Sequence, residues 1–349
     1  LLGLSCQPVR LVPDKLEDYI TQLANEQLDF GLQNALSIAV YDQGNWTSYH
    51  HGQLSPFADE RPDDATLYAL GELTELFTTT LMAEQILEGR LSAEDSVAKD
   101  YPGALPNFNG AAMTYQDLAT HTAGFPRRIT DGWNKAQLEE EAAFFQDFNL
   151  DDLYFSVATW EPNAPPGVNY IPSDLGMSVL AHMLELRSGE DYYDLLRNEL
   201  LLSLGMNDTR DLKHFDQARA DRLAPAWSLN GDALPVHTYG EYQGGISHWS
   251  TLADLKKWIS AHLDPFHPLA DAVDLCTKEQ FVLGNGRSSG YGWQIRRQAG
   301  GPVYLRSGEA QHTCQIRFSR QEQRAVIVLS NTLNAEGTDW IGAKIWGFW

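Results

Sequence analysis

Basic residues are scarce in this chain. Twenty-five Lys and Arg stand against 47 Asp and Glu, a formal net charge of −22 over 349 residues. A surface of that sign repels phosphate backbones, so nucleic acid is excluded as an expected partner. Cysteine is nearly absent, with only Cys6, Cys276 and Cys314. An odd count without metal-type spacing argues against a disulfide scaffold and against a zinc site, and no cofactor is expected. Cys6 follows "LLGLS", which reads either as the tail of a secretory signal ending at a lipid-modified cysteine or as a plain exposed start. If Cys6 is acylated, Cys276 and Cys314 remain, either as a disulfide or as two buried thiols. Also missing is any apolar run of about 18 residues, so no membrane-spanning helix is expected. Membrane contact is therefore expected only through a lipid at Cys6, in a secreted, periplasmic or outer-membrane lipoprotein.

What is present is material for a core. The chain is 43% hydrophobic and carries 10 Trp, 14 Tyr and 14 Phe, which argues against disorder. Its length suits one large domain or two intimate ones.

Residues 15–33 keep helical spacing through Leu16, Ile20, Leu23, Ala24 and Leu28. "ALSIAVYDQGNWTSYHHGQL" reads as a β-hairpin around Asp-Gln-Gly-Asn, with His50 and His51 in an exposed turn after it. A helix is predicted over 71–89, with Gly89 as its C-terminal cap. From about 110 to 265 the pattern is helices and long loops, and "KAQLEEEAAFFQDFNLDDLYF" reads as one helix with a solvated face. Strand patterns return in "GYGWQIRRQAGGPVYLRSG" and "HTCQIRFSRQEQRAVIVLSN", and a last helix is predicted over roughly 334–347. Strands at both ends with helices between them predict an α+β fold. The antiparallel sheet would come from the two chain ends, flanked by helices, with a mostly helical domain inserted. The expected unit is 15–349, with an α/β part near 15–80 and 265–349, a helical part near 81–264, and 1–14 as a tail.

Six segments then carry a resemblance. "LGELTELFTTTLMAEQILEGRLSAEDSVAKDYP" is similar to the nucleophile helix of serine β-lactamase-like proteins, a group that includes class C β-lactamases, penicillin-binding peptidases and related esterases. "MTYQDLATHTAGFP", "PPGVNYIPSDLGMSVLAHMLE", "LLSLGMNDTR", "GGISHWSTLADLKKW" and "YLRSGEAQHTCQIRF" resemble further segments of that family, in the family's order. The resemblance implies a β-lactamase-like fold. It also implies a nucleophilic Ser with a Lys three residues on, one helical turn away, where the amine can take the hydroxyl proton.

Here those two positions hold Glu72 and Glu75. The family's Tyr-x-Asn falls on Pro172, Ser173 and Asp174, and its Lys/His-Thr-Gly on Arg306, Ser307 and Gly308. Proline has no proton to relay. Loss of the nucleophile alone lowers the rate of such a relay by about a million-fold. The resemblance therefore implies a retained scaffold without the family's acyl-enzyme chemistry, a pseudoenzyme with a binding or structural role. The expected partner is a protein or an assembly, or a cell-wall-like or small acyl ligand. The alternative is an active hydrolase using a different nucleophile.

If the scaffold is kept, Glu72, Glu75, Asp174, Arg306 and Ser307 are expected to converge on the former cleft. Arg306 would be the cation of an Arg–carboxylate plug. Two other readings of the acids are a hard cation site and paired-carboxylate hydrolysis, but their spacing matches no dedicated metal loop. His121 is expected to be structural. Ser247 and Ser250 are expected to cap the helix opening at Leu252. Trp133, Trp160, Trp227 and Trp249 are expected at the cleft mouth or in ordinary packing.

Overall fold

The computed structural model describes residues 12–106, 110–130 and 141–349. Cys6, Trp133 and the first part of the acidic segment lie outside the described residues. In chain order the strands are β1 (Ala35–Asp42), β2 (Asn45–Gly52), β3 (Leu67–Ala69), β4 (Arg210–Asp211), β5 (Ala226–Trp227), β6 (Ala233–Leu234) and β7 (His248–Thr251). They continue with β8 (Phe281–Gly284), β9 (Arg287–Ser289), β10 (Gln294–Gln298), β11 (Gly301–Glu309), β12 (Thr313–Ser319) and β13 (Arg324–Ser330). The main sheet runs β2-β1-β13-β12-β11-β10-β9-β8, so strands from the two chain ends do share one sheet. All its pairings are antiparallel, and the fold is α+β.

The sheet is covered on both faces, which explains why β1 is buried without interruption from Ala35 to Val40, apolar except for Ser37. Leu36, Ile38 and Val40 pack with Ile20, Leu23 and Ala24 of the first helix (Leu16–Asp29) and with Ile341 and Ile345 of the closing helix (Ala335–Trp346). Ala35 and Ala39 point the other way, into the large core shared with the central helices. The β1–β2 turn holds Gln43 and Gly44 at φ 47° and 97°, the left-handed pair that a two-residue hairpin needs.

The helix Thr74–Leu87 runs through the middle of that core. Every residue from Thr74 to Ala83 is buried, so it is enclosed all round rather than amphipathic. Its three consecutive threonines are compatible with this because each hydroxyl finds a backbone acceptor. Thr78 donates to Gly244 O at 2.7 Å, Thr79 to Glu75 O at 2.9 Å and Thr80 to Leu76 O at 2.8 Å.

Several local expectations change. A second, small sheet, β3-β7-β4, pairs a strand before the buried helix with two from the central region, and its strands of two to four residues are too short to carry a periodicity. The acidic segment divides into helices Glu141–Asp147 and Leu150–Thr159, because Asn149 caps the second one with its side chain. Thr251, not Ser247 or Ser250, caps the helix Leu252–Leu263 by accepting from Asp254 N. Ser250 instead meets Thr209 at 2.7 Å, and Ser247 donates to Gln243 O at 2.9 Å. His50 and His51 lie within β2 rather than in a turn. Cys276 and Cys314 are both free and buried, so the disulfide does not form.

Three histidines are sealed in this core. His248 packs against Phe77 and Tyr192, His262 among Trp258, Trp293 and Phe318, and His312 between Tyr68 and Trp249. Burial depresses their pKa values to about 4, about 3 and about 3. Each cation is favoured in the unfolded chain, so their contribution to stability is full above about pH 6.5 and is lost as pH falls toward 4 for His248 and toward 3 for His262 and His312. Acid unfolding followed by circular dichroism is expected to move to lower pH in His262→Phe; an unchanged midpoint would contradict this linkage.

Candidate active site

The site is built where the end of β11 meets the short turn Gly71–Leu73 that precedes the buried helix. Gly71 has φ 54°, a conformation that disfavours any side chain. Gly308 lies so close to the turn that a Cβ there would sit 2.0 Å from Leu70 O and 3.1 Å from Glu72 N. These two glycines let strand and turn touch through their backbones. The contact places the Glu72 carboxylate in front of the Glu309 N–H, which donates to Glu72 Oε2 at 2.6 Å.

Three carboxylates and three guanidiniums then interleave. Arg127 donates to Glu72 Oε1, and Arg128 lies 3.5 Å from the same oxygen. Arg128 Nε donates to Asp174 Oδ2 at 2.5 Å and its terminal nitrogen to Glu309 O at 3.1 Å. Arg306 reaches across from β11 and donates to Glu75 Oε2. His121 Nε2 lies 3.2 Å from that oxygen. Its Nδ1 accepts from Ser173 N at 3.0 Å, so the ring also holds the start of the helix Asp174–Ser188. Glu75, Asp174, Arg306 and His121 are all buried, whereas Arg127 is partly exposed.

Burial raises all three acids, and charge decides which stays ionised. Arg128 and Arg127 together with the Glu309 N–H overcome burial at Glu72 and hold it below the usual carboxylate range. At Glu75 burial prevails over Arg306, with Glu72 adding to the rise, and the pKa goes up to about 8. Asp174 goes up to about 7, again through burial, against the pull of Arg128. The geometry agrees, because Glu75 Oε1 and Asp174 Oδ1 accept no hydrogen bond and each is free to carry a proton. Burial, reinforced by the Arg306 charge, keeps His121 neutral with a pKa of about 3.

Four of the residues singled out in the sequence, Glu72, Glu75, Asp174 and Arg306, do come together. Two others do not. Ser307 points to the opposite face of β11, because neighbouring residues alternate along a strand, and donates to Asp339 on the closing helix at 2.6 Å. Pro172 is exposed and takes no part in the cluster. Gly308 acts through its lack of a side chain. Arg127 and Arg128 were missed. They stand in "GFPRRIT", immediately after the "HTAG" segment, and a doubled arginine in so acidic a chain was the available signal. With three arginines among the acids, the carboxyl oxygens face guanidinium donors instead of forming an open oxygen cage. Among the described residues no group of three or more His, Cys, Asp or Glu is arranged for a metal ion. The described tryptophans serve packing: Trp160 Nε1 donates to Gly124 O and Trp227 Nε1 to Leu54 O, while Trp249 is buried.

Comparison with known proteins adds to this geometry. A family model described as Beta-lactamase matches residues 26–343. The chain is 24% identical over 306 residues to the D-alanyl-D-alanine-carboxypeptidase/endopeptidase AmpH of Escherichia coli K12, covering 83% of this chain and 76% of that protein. It is 20% identical over 305 residues to a beta-lactamase of the same organism, covering 84% and 74%. A crystal structure of a beta-lactamase/D-alanine carboxypeptidase from Pseudomonas syringae superposes with a TM-score of 0.81 at 17% identity, over 95% of this chain and 98% of that one. That likeness is one of fold.

Two outcomes are expected from the charge network. Arg306→Ala leaves the buried Glu75 carboxyl without its charge-assisted hydrogen bond and is expected to lower unfolding free energy by about 2 kcal/mol, while Glu75→Gln/Arg306→Met together cost much less. Urea denaturation reads both, and additive losses would contradict the pairing. Separately, Glu75 rises from an ordinary value near 4.5 to about 8 on folding. Its contribution is therefore full below about pH 4.5 and is lost as pH rises toward 8. The stability difference between wild type and Glu75→Gln is expected to shift against wild type across that window; a flat difference would reject the raised pKa.

Proposed function

This chain belongs to the Beta-lactamase family, and from that premise we propose that it is a pseudoenzyme, a serine β-lactamase-like scaffold that binds or supports rather than turns over. The observation that carries the reading is the Glu72 carboxylate, pinned by Arg127 and by the Glu309 N–H. An acyl-transfer site needs a nucleophile with a base beside it, and hydrogen-bond donors directed at the oxyanion that develops. Here the residue at the nucleophile position is itself an anion and occupies such a donor. A carboxylate attacking an acyl carbon would yield a labile anhydride, and both candidate bases of the family are replaced. The side chain at Glu75 brings a second acid where the family places an amine.

The ligand reading follows from the relatives. Two of them are named for D-alanyl-D-alanine carboxypeptidase or beta-lactamase action, so a cell-wall-like peptide or small acyl ligand held without turnover suits the inherited cleft. A protein partner or assembly is the other occupant. A cell-wall-like ligand would suit a chain outside the cytoplasm, secreted or periplasmic, with Cys6 as the candidate anchor of a lipoprotein. Among the described residues no helix is long and apolar enough to cross a membrane.

One observation favours residual hydrolysis instead. Ser37 Oγ lies 3.0 Å from His50 Nδ1, and His50 Nε2 lies 3.1 Å from Asp64 Oδ1, the connectivity of nucleophile, base and orienting acid. Yet Ser37 is 0% exposed, and its hydroxyl is also engaged by Tyr68 at 3.0 Å. An acyl carbon has no approach to it, and the chain reads as a polar tie between β1, β2 and the loop before β3. Near the charge cluster, Ser173 is committed to Pro126 O at 2.6 Å and to capping its helix.

Intact-protein mass spectrometry after incubation with a fluorophosphonate and, separately, a penicillin tests the reading. No adduct on folded protein is expected. A stoichiometric adduct on any serine, Ser37 included, would establish an active hydrolase.

A further inference from the structure

The acidic surface has a basic exception far along the chain from the charge cluster. A pocket of about 290 Å³ lies between the helical stretch 192–201, the turn at 205–209 and the helix Gln217–Ala220. Arg197, Arg210 and Arg219 line it together with the Tyr193 ring; Leu201 and Met206 form its buried floor, and the exposed Leu202 supplies an apolar wall. Arg210 and Arg219 both donate to the carbonyl of Asn207, Arg219 at 3.0 Å, so two guanidiniums are held side by side.

The charges there are unequally compensated. Arg219 is neutralised by Asp208 at 3.1 Å and by Asp216. Arg222, just outside, shares Asp208 at 2.6 Å. Arg210 has only carbonyl partners, Asn207 O and His214 O, and its Nε is buried with no hydrogen-bond partner. Arg197 touches only the Asn198 side chain, at 3.1 Å. Among the described residues neither Arg197 nor Arg210 forms an ion pair. In a chain with a net charge of −22, two unpaired arginines at one concavity run against the composition. Arg210 shares the Asn207 carbonyl with Arg219, like charges that close repel, and an anion in the pocket offsets that cost. All three arginines also pull on the Tyr193 phenol, against the raising effect of its burial. The ring is fixed by stacking on His214, with centroids 4.1 Å apart and planes at 17°.

We propose that this pocket binds a small organic oxyanion, a phosphate or carboxylate on a short apolar body. Arg197 and Arg210 would take the oxyanion, and Leu202, over the buried Leu201 and Met206, would take the body. The volume is near the lower limit for ligand sites, which restricts the occupant to a small molecule. The proposal does not depend on loss of acyl chemistry at the other site.

Isothermal titration calorimetry with phenyl phosphate, phenylacetate and inorganic phosphate tests it on the full chain. One saturable site for phenyl phosphate or phenylacetate is expected, with inorganic phosphate weaker. Which of the two aryl probes binds tighter identifies the oxyanion. Arg197→Gln and Arg210→Gln are each expected to weaken binding about tenfold or more, and Arg287→Gln, on a different strand, to leave it unchanged. Arg197 is exposed and touches little, so its variant keeps the test valid if Arg210→Gln fails to fold. No saturation by any probe at millimolar concentration, or binding indifferent to both substitutions, would overturn the site. Inorganic phosphate binding as tightly as phenyl phosphate would overturn the role of the apolar wall.

Discussion

The architecture depends on one contact, the backbone of β11 pressed against the turn Gly71–Leu73. Gly308 and Gly71 allow it, and no side chain would fit at either place. The contact seats the strand against the start of a helix that is buried on every side. A helix start carries partial positive charge and unpaired N–H groups. An acid at Glu72 suits that end, and the Glu309 N–H adds a neutral donor from the facing strand.

Placing acids there has a cost that the rest of the cluster offsets. Three carboxylates in one buried place would repel one another and lose their hydration. Arg127, Arg128 and Arg306 arrive from two different parts of the chain, so the network joins the sheet to the helical region. Ion pairs of this kind add little net stability compared with apolar packing, but breaking one is expensive. The consequence is a closed, specific arrangement of acids and guanidiniums at the start of the buried helix. This differs from a site that has merely lost a residue, where an empty position would remain.

The polar chain through Ser37, His50 and Asp64 and the pocket around Arg210 show how far side-chain identity departs from role. The first has the connections of a catalytic triad and no access. The second has few connections and two unpaired cations, in a surface whose composition argues against them. In both cases burial and charge balance, not residue type, decide what the groups do. The same holds for the core histidines, which are ordinary in sequence and become acid-sensitive only because the packing excludes water.

Much of the fold was legible because its elements repeat. The hairpin β1–β2, the last two strands and the first and closing helices each carry a period or a turn signature, and the six family-like segments fixed their order. Glu72, Glu75, Asp174 and Arg306 were legible through those segments. The short strands of β3-β7-β4 were not, since two to four residues show no period. Ser307 was misplaced because a motif position gives a strand residue but not its face. Arg127 and Arg128 were missed because they belong to no motif, and their partners lie 55 and 46 residues away in sequence. The sequence by itself determined the family and the sheet from both chain ends, and the resemblance aligned Glu72 and Glu75 with the family's nucleophile and base positions. Only the tertiary structure decided that the acids are paired and that Glu75 and Asp174 titrate near neutrality. Pairing and desolvation depend on distances between remote segments, and those distances exist only once the chain has folded.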